Sequence, residues 1–251
     1  MTHIGTAGWS IPARFAPEFP GAGSHLERYA RILPSVEINS SFHRPHAHAT
    51  YARWAASVPP TFRFSVKIPK LISHTRRLVD VDCLLDAFVA QVAGLGEKLD
   101  VVLLQLPPSF AYEPALVGPF LDALRRRVGE STGIACEPRH ATWFGDRANT
   151  CLNDHRVARV VADPVLVAGG EQPGGWPGLR YCRLHGAPRV YYSAYEWAKL
   201  EALAVSLSTV RRGCERSWCI FDNTASGAAT GDALALGSLL APQRATRLGH
   251  R

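Results

Sequence analysis

The sequence lacks several features that would mark a membrane protein, a metal finger or a dinucleotide-binding protein. No run of about eighteen apolar residues occurs, so no membrane-spanning helix is expected. None of the six cysteines forms a C-x-x-C pair, and buried free thiols are the simpler interpretation. The first ten residues, MTHIGTAGWS, lack the basic segment followed by an apolar segment that is typical of a secretory signal peptide. We therefore expect a cytosolic protein without a membrane partner.

The composition is that of an ordinary folded domain. Hydrophobic residues make up 47% and charged residues 20% of the 251 positions. No linker, repeat array or low-complexity tract divides the chain, which predicts one domain over residues 1–251. The net charge of +7 permits anionic partners, but solvated helix ends, whose dipoles the arginines complement, are the favoured explanation of the arginine runs.

Short β-rich runs alternate with helical patterns along the chain. The runs are 4–8, 35–39, 62–67, 101–106, 133–137, 157–163, 179–184 and 216–222. Dividing 251 residues by eight gives roughly 31 per unit, about the length of a βαβ repeat. The alternation predicts an α/β fold, a single-domain (β/α)8 barrel of the TIM type, with an open doubly wound sheet as the alternative. No G-x-G-x-x-G follows the first run, which disfavours a dinucleotide-binding version.

Helical patterns follow most of these runs. They cover residues 24–33, 50–57, 82–96, 113–127, 195–213 and 229–240. The first begins with Ser24 and has Glu27 three residues later, which is a capping-box signature. The sixth crossover, PVLVAGGEQPGGWPG, is rich in glycine and proline. We expect a loop there in place of one of the barrel helices.

Charged side chains recur at the carboxyl ends of the runs, where barrels of this type build their active sites. Alternation along a strand places Glu37, Lys67 and Arg183 on the face opposite the apolar residues of the same run. Glu137 ends GIACE on the inward-facing parity, and His185 follows the seventh run. Isolated buried charges cost several kcal/mol, so these groups must be paired.

Three interpretations of these charges stay open. Glu37 with Lys67 forms a structural ion-pair network, or Lys67 is a Schiff-base nucleophile if burial lowers its pKa. Glu137, Asp163 and His185, with Glu37, are alternatively ligands of a divalent metal. No H-x-H or H-E-x-x-H spacing supports the metal. Aromatic residues also follow strand ends, and they either line a pocket or pack over the barrel mouth. These aromatic residues are Trp9, Phe42 and Trp143.

Seven short motifs occur in the order typical of a known family. They are GTAGW, VEINSSFHRP, FRFSVKIPKLISH, LLQLPPSF, EPRHATWF, RLHGAPRVYYSAY and FDNTASGAA. Together they resemble the YecE-like family, domain of unknown function 72, from about residue 3 to 240. The resemblance implies a TIM-type barrel and implies no reaction. Pro138 and Asp222 depart from the residues expected in the fifth and seventh motifs, which alters the hydrogen bonding of the rim.

The last two motifs suggest an anion site by analogy with other barrels. Loops after strands seven and eight often hold phosphate with backbone N–H groups and a helix N-terminus. Arg183 and His185 come from RLHG, and Asn223 and Thr224 come from DNTASG. These four residues are the predicted anion ligands.

The sequence favours a cytosolic enzyme that acts on a small anionic or polyhydroxylated substrate at this rim. Glu137 and His185 are the predicted acid and base, with charge held by cations around them. The candidate catalytic residues are Glu137, His185, Lys67 and Asp163. The candidate binding residues are Trp9, Glu37, Asn39, Arg139, His140, Arg183, Asn223 and Thr224.

Two other classes of function remain alternatives. One is a metal-dependent hydrolase of the nuclease type, to which the positive charge would attract nucleic acid. The other is a ligand-binding or accessory protein without turnover. The sequence does not identify a cofactor or an oligomeric state.

Overall fold

The chain adopts a mixed α/β fold with parallel sheets. A computed structural model describes residues 2–209 and 214–241. The strands are β1 (Thr2–Thr6), β2 (Ser35–Ile38), β3 (Arg63–Lys67), β4 (Leu99–Gln105), β5 (Gly133–Glu137), β6 (Val157–Arg159), β7 (Val161–Asp163), β8 (Gly174–Gly175), β9 (Leu179–Leu184) and β10 (Arg216–Phe221). Each of the eight predicted runs overlaps an observed strand.

The strands form two sheets. One has the order β1-β10-β9-β7, and the other has the order β2-β3-β4-β5-β6-β8. Every pairing is parallel except that of β6 with β8. Parallel pairing places the carboxyl ends of the long strands at the same edge, and this edge carries the charged residues described below.

The two sheets are linked at two places. The predicted run 157–163 is observed as β6 and β7, which are separated only by Val160. The Val160 N–H donates to the Cys136 carbonyl at 2.8 Å, and this hydrogen bond keeps the residue between β6 and β7 attached to β5. At the other edge Ala7 and Glu37 form a parallel bridge. Gly5 permits this close approach of β1 and β2, since a Cβ there would collide with the Ser35 carbonyl.

Seven α-helices are formed by the described residues. They are α1 (His25–Ala30), α2 (His48–Ala56), α3 (Asp82–Val92), α4 (Pro114–Val128), α5 (Asp146–Asp154), α6 (Trp197–Ser208) and α7 (Ala228–Leu240). Residues 210–213, the predicted end of α6, lie outside the described residues. None of the described helices has the length and apolar character needed to cross a bilayer.

Local signals explain where some of these helices begin or are missing. The Ser24 hydroxyl accepts from the Glu27 N–H at 3.3 Å and the Glu27 carboxylate accepts from the Ser24 N–H at 2.6 Å, which confirms the capping box. Residues 164–178 contain no helix and carry only β8, so the predicted loop crossover is confirmed. Helix α5 escaped prediction because DRANTCLND is mostly polar and buries only Ala148 and Leu152.

Apolar side chains pack on both faces of the sheets. The larger cluster lies between strands and helices and includes Val36, Val66 and Cys182. A second, separate cluster comes from the alternate strand positions. Its buried members are Val101, Leu103, Ala135, Ala158, Val160, Leu179, Tyr181, Trp218 and Ile220. Toward the carboxyl ends of the strands these positions change from apolar to charged, because Ala135 is followed at the same parity by Glu137 and Tyr181 by Arg183.

Candidate functional site

Five ionisable side chains meet at the carboxyl ends of four strands. Glu37 lies on β2 and Glu137 ends β5. Arg183 lies on β9, and His185 and Asp222 directly follow β9 and β10. All five are buried. We call these five residues the charge cluster.

Arg183 is the centre of the charge cluster. Its Nε and Nη2 donate to the two oxygens of Glu37 at 3.0 and 2.8 Å. Its Nη1 donates to Glu137 Oε2 at 2.6 Å, and Nη2 also donates to Asp222 Oδ2 at 3.0 Å. A guanidinium is always charged and offers a planar set of donors, so it can hydrogen-bond to several carboxylates at once.

His185 is held between two carboxylates. Its Nδ1 lies 3.0 Å from Asp222 Oδ2, and its Nε2 lies 3.1 Å from Glu137 Oε1. Both ring nitrogens face acceptors, and both can donate only when the imidazole is protonated. The geometry therefore favours the imidazolium form, with a proton poised beside Glu137.

Neutral donors complete the hydrogen bonding of the two glutamates. Gln105 Nε2 donates to Glu137 Oε2 at 3.0 Å. The Tyr181 hydroxyl lies 2.9 Å from Glu37 Oε2 and 2.8 Å from Ser65 Oγ. Each carboxylate therefore has several partners, as a buried charge requires.

The charge cluster shifts the pKa values of Glu137, Asp222 and His185. Burial alone would raise the pKa of Glu137, but Arg183 and His185 outweigh it and hold that pKa well below its usual range. Burial likewise opposes ionisation of Asp222, yet Arg183 and His185 lower its pKa. Burial would lower the pKa of His185, whereas Glu137 and Asp222 raise it. The carboxyl groups of Glu137 and Asp222 are thus ionised at neutral pH.

We expect Glu137→Gln to lower the pKa of His185, because it removes the largest attraction to the imidazolium. In the wild type the pKa is raised above 6.5, so the stability that His185 contributes is fully present below pH 6.5 and is lost as the pH rises through the folded-state value. An NMR titration of the His185 ring protons measures the midpoint. The exposed Glu130→Gln is the control, and equal midpoints in all three proteins would contradict the geometry.

Lys67 lies beside the charge cluster without joining its hydrogen bonds. It ends β3, and its Nζ sits 4.1 Å from the centre of the Phe42 ring. The backbone is fixed there because Ser41 Oγ donates to the Lys67 carbonyl at 2.7 Å. Although Lys67 is only 6% exposed, its ammonium forms no ion pair with a carboxylate of the described residues.

The surroundings of Lys67 disfavour its charged form. Burial and then the Arg183 charge lower its pKa to about 8, against attraction from the carboxylates of the charge cluster. His74, edge-on to Phe42 at 4.9 Å, has its pKa lowered to about 4 by burial and by Lys67, Lys70 and Arg139. This side of the rim is therefore electropositive.

Arg139 and Tyr191 lie at the solvent side of the charge cluster. The Arg139 Nε and Nη2 donate to Glu137 Oε1 at 3.2 and 3.0 Å, and its side chain is 20% exposed. The Tyr191 ring meets the His185 ring edge-on at 5.7 Å. Tyr191 has a φ of +69°, and its N–H donates to the His185 carbonyl at 2.5 Å. A non-glycine residue in this conformation is held by its surroundings, and here it covers one side of His185.

Asp163, a predicted catalytic residue, does not reach the charge cluster. Val160 and Ala158 belong to the interior apolar cluster, so the alternation turns Asp163 to the opposite face. Its carboxylate accepts from Lys199 Nζ at 2.6 Å and from the Tyr195 hydroxyl at 3.0 Å. The catalytic role predicted for Asp163 therefore has no contact with the charge cluster to support it.

Three other predicted binding residues have structural partners elsewhere. Asn223 Nδ2 donates to Asp232 Oδ2 and to the Ser193 carbonyl at 2.7 and 2.8 Å. The His140 imidazole accepts from the Thr142 N–H and caps a short helix. Trp9 packs edge-on against Trp54 at 4.9 Å.

The residues predicted to bind phosphate after the last two strands differ in burial and in partners. Thr224 is exposed, and Arg183 is fully buried with all its partners supplied by carboxylates. Asn39, half-buried beside β2, has an Oδ1 with no hydrogen-bond partner in the described chain. Of the other aromatic candidates, Trp143 is a buried packing residue whose Nε1 donates to the Phe110 carbonyl at 2.9 Å.

Asp222 is the cluster member that was expected at the rim but was not among the candidate site residues. It accepts from both Arg183 and His185, although Asn223 beside it was the predicted ligand. The signal was the alternation of β10, because Trp218 and Ile220 belong to the interior cluster and Asp222 shares their parity.

The predicted metal ligands do not form a metal site. Among residues 2–209 and 214–241, no group of three His, Cys, Asp or Glu side chains is arranged to hold a metal ion. Arg183 lies between Glu37 and Glu137 and supplies the positive charge there. Asp163, the remaining oxygen ligand, pairs with Lys199.

Fold and site together define a parallel α/β protein with a buried charge cluster at its strand ends. Residues 3–250 match the family described as "Protein of unknown function DUF72", and the chain belongs to that family. The chain is 32% identical over 171 residues to the UPF0759 protein YecE of Escherichia coli K12, covering 65% of this chain and 59% of YecE. It is 28% identical over 150 residues to YunF of Bacillus subtilis, covering 57% of this chain and 52% of YunF.

Solved structures share the fold. A DUF72 family protein from Enterococcus faecalis superposes with a TM-score of 0.78 at 20% identity, covering 96% of this chain and 95% of that one. A second, from Thermotoga maritima, gives 0.76 at 23% identity, covering 96% and 99%. These structural similarities show a shared fold and do not indicate a reaction.

Proposed function

We propose that the chain is an enzyme acting on a small anionic or polyhydroxylated substrate at the carboxyl ends of its strands. The proposal includes a closed (β/α)8 barrel in a single domain. The Ala7–Glu37 bridge and the short interruption at Val160 support closure, since they link the two sheets at both of their junctions. In such barrels this edge is where active sites are built.

Lys67 is the observation that carries the proposal. A purely structural ion network would pair its cations, since an unpaired buried charge is costly. Arg183 is fully paired, whereas Lys67 is buried, lacks a described carboxylate partner and has its pKa lowered to about 8. Lysines with depressed pKa values at a barrel edge are typical of acid–base or nucleophilic chemistry.

Each group has a distinct proposed role. Lys67 and the partly exposed Arg139 would receive the negative charge of the substrate. His185 would donate a proton, and Glu137 and Asp222 would keep that proton on the imidazole until it is used. Arg183 would hold the carboxylates in position and would not itself contact substrate.

A thermal-shift panel tests the proposal. Phosphosugars, sugar acids, nucleotides, short DNA and divalent cations are each added to the wild type and to the Lys67→Met and Arg139→Met variants. A ligand at about 100 times its Kd adds roughly 2.7 kcal/mol of stability. We expect a small anion to raise the Tm of the wild type by several degrees, and the two variants to lose most of that shift.

The matched control is Lys199→Met, which removes an exposed lysine whose partner is Asp163. It should keep the full shift. A shift that survives both site variants would place binding elsewhere and contradict the proposal. A response only to metal or DNA would favour the metal-dependent hydrolase, and no response to any compound would favour an accessory protein.

A further inference from the structure

We infer that Lys67 is a covalent nucleophile, and that the substrate is an anionic aldehyde or ketone that condenses with its amine. This inference rests on the proposed function and names the substrate class of the same site. Its geometric basis is a buried lysine side chain that lies on the Phe42 ring, close enough to Glu37, Glu137 and Asp222 for their charges to act on it, with His185 held between the last two.

The amine is positioned and partly free of its proton. The Ser41–Lys67 hydrogen bond fixes the backbone at the end of β3, and the side chain packs against Phe42 at 4.1 Å. With a pKa of about 8, roughly a tenth of the molecules carry the neutral amine at pH 7. The charged groups that set this value are Arg183, which disfavours the cation, and Glu37, Glu137 and Asp222, which favour it.

The reaction balances with the groups that the site supplies. The Nζ lone pair forms a bond to the carbonyl carbon, and the carbonyl π electrons move to the oxygen, which becomes a hydroxyl after proton transfer from the nitrogen. That hydroxyl leaves as water when it receives a proton from the His185 imidazolium. The nitrogen lone pair then completes the C=N bond. One amine, one carbonyl and one proton thus give one iminium and one water.

The charge pattern favours an anionic carbonyl compound. The iminium that forms is positive and would be stabilised by the nearby carboxylates of Glu37, Glu137 and Asp222. The other side of the rim carries an excess of cations besides Lys67, since Lys70, Arg77 and Arg139 also depress the pKa of His74. A carboxylate or phosphate on the substrate would lie on that side, with its carbonyl carbon toward Lys67.

Trapping the iminium with a reductant tests the inference. Glyoxylate is added to the 251-residue chain with sodium cyanoborohydride, whose hydride reduces the C=N bond to a stable secondary amine. The chain has only four lysines, Lys67, Lys70, Lys98 and Lys199, so peptide mass spectrometry assigns the adduct directly. We expect the adduct to form on Lys67 at least tenfold faster than on the exposed Lys70 and Lys199, with a pH midpoint near 8.

The controls separate this inference from the proposed function. Lys67→Arg keeps a cation but has no reactive amine, so it should lose the fast adduct while retaining part of the anion-dependent thermal shift. Labelling of Lys67 no faster than that of Lys70 and Lys199 would overturn the inference. If anions still shift the Tm in that case, the proposed binding site stands without covalent chemistry. If Lys67 is not labelled faster than Lys70 and Lys199, and no anion shifts the Tm, both proposals fail.

Discussion

Replacing Arg183 with methionine should destabilise the protein by about 3–5 kcal/mol. The guanidinium has no exposed surface and donates to Glu37, Glu137 and Asp222. Its removal leaves three carboxylates buried together without their central cation, and burying unpaired charges is costly. Urea denaturation at pH 7 measures the free energy of unfolding. The loss should shrink as the pH falls, because the stranded carboxylates then take up protons.

Arg156→Met is the matched control for this experiment. Its partner Glu130 lies 2.7 Å away, but the two side chains are 48% and 66% exposed. Exposed pairs of this kind contribute about 1 kcal/mol or less. If Arg183→Met and Arg156→Met cost the same, the charge cluster is not the tightly coupled unit described here.

Replacing Lys67 with methionine should have the opposite effect on stability to Arg183→Met. We expect it to stabilise the protein by about 1–3 kcal/mol at pH 7. The folded-state pKa of about 8 lies below the ordinary 10.5, so the folded protein disfavours the charged lysine at neutral pH. By linkage, the free-energy cost of holding charged Lys67 in the folded protein is complete below about pH 8. This cost disappears as the pH approaches 10.5. Methionine keeps an unbranched apolar stem against Phe42 but loses the cation–π contact, which reduces the gain.

The same denaturation series provides the test. Wild-type stability should approach that of Lys67→Met between pH 8 and 10.5, and the variant should lose the ligand-induced shift while gaining stability. Such a trade of stability for function is typical of active sites. Lys199→Met, which removes an exposed cation, should show neither effect. A destabilised Lys67→Met at every pH would mean that the ammonium is favourably placed and that the rim is structural.

Most of the fold could be predicted from the sequence because the same local pattern, a β-rich run followed by a helix, recurs along the chain. Eight β-rich runs, Ser24 with Glu27, and the glycine- and proline-rich sixth crossover each have a physical signature that survives in the structure. Helix α5 was missed because its nine residues bury two side chains and are otherwise polar. The antiparallel β8, formed by Gly174 and Gly175, has no side-chain pattern to find.

The site residues could be predicted where the alternation of side chains along a strand decides which face they lie on. They could not be predicted where the chain bends at a strand end. Glu37, Glu137, Arg183 and His185 meet because each follows the inward parity of its strand. The side of the sheet that Asp163 faces depends on the parity of the interrupted β6 and β7, which the sequence analysis did not assign. Asn223 turns toward Asp232 of α7, a contact across nine residues that strand periodicity does not encode.

The reactivity of the Lys67 amine is the property on which the account depends. Competitive labelling of all four lysines with trace acetic anhydride, repeated across pH and quantified by mass spectrometry, reports the neutral fraction of each amine. The account predicts a midpoint near pH 8 for Lys67, and protection of Lys67 by any anion that raises the Tm. A midpoint near 10.5, unaffected by such anions, would contradict a reactive lysine at this rim and leave the charge cluster as a structural ion network.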